Sequence, residues 1–421
     1  MADDMLNFGL VAAVAFCLMA LLLLIQSLPC LLAMRRSLQR SEPHSTDFTP
    51  PARVLLCLRG ADPFLDRCLR GLATQDYPDY KVMIVVDSAT DESLPQAQAL
   101  RDEFGGDRIE VLIRDRLWST CSRKISSLLC GFSRVPAEVE VVAWCDADAI
   151  PHSTWLRELT APLQDSQIAV TTGNRWYAPA QWTVGSLCRH SWNAMAFLAM
   201  HKYRLPWGGS LAIRSDVFRD PAFPQCLQRS FSDDMALGKF VLDRGQRVEP
   251  VVALVILNEE TCGLTSFWGF LVRQMLATRL NHPRWPTLLG EALVLFTLLW
   301  VLLPLALSQG IGSWSWWLAG ASVYNVISLS STGYLESLVR RLLAQRGRPA
   351  GTVYGWGRAL LAYPILCLTG FVYSLAVVHA AFVTTHKWRG IVYRIEGQGV
   401  SILNDRQPIV GLSAAHQYES T

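Results

Sequence analysis

The sequence predicts an α/β domain held between membrane-length apolar segments, and three observations lead there. From residue 53 onward, short apolar runs alternate with amphipathic stretches, the pattern of strands and the helices that cover them. Carboxylates follow two of those runs, at Asp87 and at Asp146 and Asp148, and a further pair stands at Asp233 and Asp234. Four stretches, 5–34, 288–307, 311–331 and 359–385, carry no charge apart from Glu291 and are long enough to cross a bilayer.

The first of these, 5–34, is too long for a signal-peptide core and shows no cleavage site, so it reads as a retained anchor. Asp3 and Asp4 precede it, while Arg35, Arg36 and Arg40 follow it. That asymmetry places the N-terminus outside and the following domain in the cytosol. A linker with Pro, Ser and Thr over 41–52 opens a domain that runs across 41–263. Strands are expected at 54–58, 81–86, 108–113 and 140–145, with weaker signals at 166–172 and 208–213. A helix is expected over 63–75 and another over 235–244.

Two segments are amphipathic instead of spanning. Residues 184–200 include Arg189 and His190, and 264–280 include Arg273 and Arg279 among Trp, Phe and Leu. Both read as helices at the cytosolic membrane surface, although a core-facing helix serves the first equally well. The second, with its connector, fills 264–287 and leads into a membrane region at 288–385 with about three spans. The basic loop 340–348 belongs in the cytosol. Counting crossings puts the tail 386–421 outside, whereas Lys387-Trp388-Arg389 points inside, and both placements stay open.

Composition narrows the partners. A length of 421 residues holds one domain plus several membrane helices. The net charge of +3, with no basic run interleaved with aromatics, excludes a nucleic-acid partner. Eleven scattered cysteines without Cys-x-x-Cys spacing fit reduced thiols, not a disulfide framework or a zinc site.

The acids carry the chemistry. Asp87 follows Val82–Val86, at the strand end where an open α/β sheet places a ligand, and could accept hydrogen bonds from a nucleobase or ribose; a plain turn would also explain it. Asp146 and Asp148 are spaced to point the same way. Both can therefore reach one Mg²⁺ or Mn²⁺ bridging two phosphates. Asp233 and Asp234 open a helix, where the dipole favours acids. The same pair could supply a general base whose pKa an acidic neighbour raises. Lys124, Arg273 and Gln274 are the candidates to face a leaving diphosphate. Together these residues describe a metal-dependent transferase acting beside a membrane on a nucleotide-activated donor.

Five patches resemble the GT-A glycosyltransferases of the large inverting family, and among them the ceramide glucosyltransferase-like branch. They are Leu58-Arg59-Gly60-Ala61-Asp62-Pro63 with Gln75-Asp76-Tyr77-Pro78, then Arg123-Lys124-Ile125, Asp146-Ala147-Asp148, Asp233-Asp234, and His386-Lys387-Trp388-Arg389 with Tyr393-Arg394. The resemblance implies a Rossmann-like GT-A domain with Asp87 at the uridine, Asp148 at the metal beside Asp146, and Asp234 as base next to Asp233. It further implies a UDP-sugar donor, glucose first among the hexoses, and a lipid acceptor in the bilayer, with ceramide ahead of diacylglycerol or a hopanoid-type lipid. One box departs. Phe270-Leu271-Val272-Arg273-Gln274 keeps the arginine but has Gln274 where processive synthases carry a tryptophan, which weighs against chain building. Arg273-Gln274 followed by His282-Pro283-Arg284-Trp285 is similar to bacterial membrane glycosyltransferases, which implies a bacterial cell membrane.

Overall fold

The computed structural model describes residues 6–39, 48–348, 351, 353 and 359–405. Seven strands form the central sheet: β1 (Ala52–Leu58), β2 (Tyr80–Val86), β3 (Ile109–Ile113), β4 (Val141–Cys145), β5 (Ile168–Tyr177), β6 (Ser210–Arg214) and β7 (Arg247–Asn258). They lie in the order β3-β2-β1-β4-β6-β5-β7. β1 pairs in parallel with both β2 and β4, and β6 alone among the seven runs antiparallel to its neighbours β4 and β5. Because the chain moves outward from β1 in both directions, a crevice opens at the carboxyl ends of β1 and β4.

The apolar runs become strands because both faces of the sheet are covered. Val54, Leu56 and Ile84 enter one core, while Leu55, Met83 and Val85 enter the other, all essentially without exposure. Seven expected elements appear close to their expected places, with the helix Leu65–Ala73 between β1 and β2. The helix expected over 235–244 begins two residues earlier, at Asp233. Unforeseen were β7 and a second, three-stranded sheet of β8 (Thr385–Trp388), β9 (Ile391–Glu396) and β10 (Gly399–Asp405).

Among the described residues, three helices are long and apolar enough to cross a membrane: Phe8–Gln39, Trp285–Ser308 and Leu360–Phe382. On Phe8–Gln39, Leu10, Val14, Leu18, Leu21 and Ile25 point away from the protein, as a lipid-facing surface does. The expected span at 311–331 lies within a longer helix, Ile311–Gln345, which runs on through Glu336, Arg340 and Arg341. This helix packs along Phe8–Gln39 at close range. A side chain at Gly9 would strike the Ser313 backbone, and one at Gly320 would strike Ala13, so small residues set the distance.

The far end of Ile311–Gln345 docks on the α/β domain. Arg346 forms an ion pair with the buried Glu158 and lies 3.1 Å from Nε2 of His152, and Arg348 donates to the Ile150 carbonyl at 2.8 Å. The C-terminal strands return to the same domain. The Ile402 amide donates to the Ser119 carbonyl at 2.7 Å, and Arg389 donates to the Arg59 carbonyl at 3.2 Å. Residues 385–405 therefore lie on the domain's side of the helices, which corrects the placement obtained by counting crossings. The linker residues 41–47, Arg40 and the tail beyond 405 lie outside the described residues.

Candidate active site

The acids converge around one lysine. Ser122 caps the helix Arg123–Phe132 by accepting from the Ile125 amide, which fixes Lys124 in the first turn, beside the end of β4. Its Nζ lies 2.7 Å from Asp146 Oδ1, 3.2 Å from Asp233 Oδ2 and 3.0 Å from the Gly208 carbonyl. Burial alone would lower the Lys124 pKa, but Asp146 and Asp233 hold it above the ordinary lysine value. Burial also disfavours charge on Asp146, yet the ammonium outweighs it and keeps that carboxyl below its usual range. Asp148 has no such partner. It accepts from Asn258 Nδ2 at 2.8 Å, and burial together with Asp146 pushes it up to about 6.

The two members of the acid pair face different surroundings. Asp233 is 6 % exposed, accepts from Trp144 Nε1 at 2.9 Å, and is pushed up to about 6 by burial and by Asp234 against the pull of Lys124. Asp234 lines a cavity instead. Its Oδ2 accepts from the Gly208 amide at 2.7 Å, and its Oδ1 from the Met235 amide at 2.7 Å and from the Ser232 hydroxyl. Gly208 must be glycine. A Cβ there would sit 2.8 Å from Asp233 Oδ2, 2.9 Å from Lys124 Nζ and 3.2 Å from Asp234 Oδ2.

That cavity, about 450 Å³, also borders Arg175, Trp207 and Gln274, and it continues between the apolar helices to Phe16, Leu295 and Trp317. Arg273, next to Gln274, rests over the rings of Phe270 and Trp388 at 5.8 and 5.0 Å. Burial and the charge of Arg175 lower its pKa. The C-terminal sheet covers the crevice beside it. The Arg123 amide donates to the Tyr393 hydroxyl at 3.4 Å, and Phe231 meets Tyr393 edge-on at 5.4 Å.

Two residues stand differently from the expectation. Asp87 ends β2 as expected, but its carboxylate is enclosed by Arg59 at 3.1 Å, Arg114 at 2.9 Å and Arg123 at 3.6 Å. Its oxygens are shared among guanidiniums instead of standing open to a nucleobase. Lys124 is likewise committed to carboxylates, so its charge binds the site's acids together and is not free for a diphosphate. The sequence reading missed Arg175, Asn258 and Gly208. The single charge within β5 and a Gly-Gly pair before β6 were the available signals.

A divalent cation suits the donor set. Among the described residues no group of three or more His, Cys, Asp or Glu gathers as a cation site. Asp146 and Asp148 would therefore share the ion with ligand oxygens and water, the way Mg²⁺ is bound beside phosphates. The added charge would also relieve the crowding of two neighbouring carboxylates.

The model of glycosyl transferase family 21 matches residues 12–401. The chain belongs to this family. It is thus a glycosyltransferase, and its parallel-rich sheet with the reversed β6 is the GT-A arrangement. Among solved structures, the chain is similar to a mannosyltransferase from Pyrobaculum calidifontis in complex with GDP-mannose and Mn²⁺. The two are 16% identical with a TM-score of 0.51, over 89% of this chain and 99% of that one. Glucosyl-3-phosphoglycerate synthase from Mycobacterium tuberculosis, solved with Mn²⁺ and UDP, is 14% identical with a TM-score of 0.33, over 51% of this chain and 74% of that one. No protein of curated function matches the chain.

Proposed function

We propose that this family 21 enzyme moves a hexose, glucose first, from a UDP-sugar to the hydroxyl of a membrane lipid, with ceramide the leading acceptor and diacylglycerol or a hopanoid-type lipid next. The observation that carries the lipid is the cavity: it begins at Asp234 and is walled by Phe16 and Leu295 of two membrane-length helices and by Trp317 of Ile311–Gln345. An apolar chamber leading to a carboxylate suits a chain-bearing molecule that offers one hydroxyl. The domain would work in the cytosol, where nucleotide sugars are made, within a multi-pass protein of a bacterial cell membrane.

In this reading Asp234 takes the proton of the acceptor hydroxyl as its oxygen bonds to the anomeric carbon. The bond from that carbon to the β-phosphate oxygen breaks, and the electron pair leaves with the nucleoside diphosphate. Asp233 holds Lys124 and Trp144 and so fixes the helix start that aims Asp234. Asp148 and Asp146 would hold Mg²⁺ or Mn²⁺, which when bound offsets the charge gathering on the diphosphate. Asp87 anchors the arginines at the nucleotide end of the crevice, and Arg273 and Gln274 border the transfer point.

Asp234→Asn tests the base. General-base assistance contributes roughly 10²–10⁴ in rate, so kcat should fall by at least about 10² while UDP affinity holds. Full activity in that variant sinks the assignment. Removing divalent cations with EDTA should abolish transfer, and Mn²⁺ or Mg²⁺ should restore it. Undiminished transfer in EDTA rules out the cation at Asp146 and Asp148.

A further inference from the structure

Arg175 lies near the C-terminal end of β5, on the wall of the cavity that Asp234 faces. Among the described residues it makes no ion pair, and its Nε is buried without a hydrogen-bond partner. Its guanidinium instead lies 4.7 Å from the ring of Tyr177, 5.1 Å from Phe270 and 5.2 Å from Trp207. Ring faces hold a cation in place but do not neutralise it, so the charge is left facing the cavity without a counter-ion. Arg273 repeats the pattern, held over Phe270 and Trp388 with no carboxylate of its own. Two guanidiniums in one place, neither in an ion pair among the described residues, indicate an anion that arrives with a substrate. Arg175 borders the cavity together with Asp234, Trp207 and Gln274, so the place lies at the polar end of that cavity.

We infer that Arg175, paired with Arg273, receives the β-phosphate of the departing nucleoside diphosphate and is a catalytic residue of the transfer. The inference rests on the nucleotide-sugar reading above. As the bond from the anomeric carbon to the phosphate oxygen breaks, that oxygen keeps the electron pair. The planar fork of Arg175 then donates two hydrogen bonds where the charge has grown. The aromatic faces hold the fork in place and exclude water, so little reorganisation is needed when the charge appears.

The test uses the full chain in lipid nanodiscs with Mn²⁺. UDP and UMP affinities are measured by titration, and kcat with UDP-glucose, for wild type, Arg175→Gln and Arg175→Lys. Only UDP carries the β-phosphate. Arg175→Gln should bind UDP about 10-fold more weakly with UMP unchanged, as expected for a lost charge-assisted hydrogen bond. Its kcat should fall by about 10²–10³. Arg175→Lys should recover part of both, since it keeps the charge and loses the fork. If the Gln variant does not fold, the Lys variant decides, with a thermal midpoint equal to wild type and a UDP-over-UMP preference reduced several-fold. Equal losses for UDP and UMP, an unchanged preference, or an intact kcat overturns the inference while leaving the donor reading in place. Wild-type protein that does not bind UDP overturns both.

Discussion

At the scale of the residue, the site is organised by one half-buried ammonium. Lys124 links Asp146, Asp233 and the Gly208 carbonyl, and the Gly208 amide in turn holds Asp234. Asp146 and the pair Asp233 and Asp234 are thereby fixed to each other through a single side chain and a single peptide. Gly208→Ala tests this coupling. Its Cβ cannot fit without moving Lys124 or a carboxylate, and displacement by about 1 Å costs on the order of 10²-fold in rate. We expect kcat to fall 10- to 100-fold, on that same scale, with the thermal midpoint almost unchanged. A fully active alanine variant would show that the acids tolerate displacement. The acids themselves were legible in the sequence because charge beside an apolar run is conspicuous. Their partners were not. Lys124, Gly208 and Asn258 come from separate elements, and only the fold states which of them meet.

At the scale of the element, buried strands other than β7 were readable, and the half-exposed C-terminal ones were not. β1, β2 and β4 are continuous apolar runs because both of their faces are covered. β9 alternates Ile391, Tyr393 and Ile395 with more exposed neighbours, and β8 mixes His386 and Lys387 with Trp388, so both passed for a polar tail. β7 contains Pro250, which obscures a strand that reaches the edge of the sheet. The helix Ile311–Gln345 ran beyond its expected limit because its last turns pack Leu335, Val339 and Leu342 against the sheet residues Trp176, Val252 and Val255, not against lipid. Its anchor is the ion pair of Arg346 with Glu158, whose side chain is 4 % exposed. Burial and the charge of Arg346 hold His152 neutral, with its pKa lowered to about 3, so the imidazole nitrogen can accept. Removing one partner of a buried pair typically costs about 3–5 kcal/mol, so Arg346→Ala should lower the thermal midpoint markedly. The double variant Arg346→Met with Glu158→Leu should regain most of the loss, because no charge is left uncompensated. An unchanged midpoint in the single variant would mean that the helix end is held elsewhere.

At the scale of the whole molecule, the helices and the α/β domain are one working unit. The N-terminal helix lines the same cavity as Asp234, and the C-terminal strands close over the crevice from the opposite end of the chain. Neither contribution was visible in the sequence, which shows a membrane segment as a length of apolar residues and says nothing of what it walls. The chamber's position has a kinetic consequence. An acceptor that enters sideways from the bilayer is counted per unit of membrane area, not per litre. Diluting the lipid acceptor with inert phospholipid, at a fixed amount of acceptor per millilitre, should slow the enzyme in proportion to the acceptor's mole fraction. Adding more vesicles of the same composition should leave the turnover of each reconstituted enzyme unchanged. Rates that follow bulk concentration would mean that the acceptor arrives through water. Under the proposed lipid acceptor, the membrane's composition would act as the enzyme's throttle, and crowding of the leaflet would set its pace.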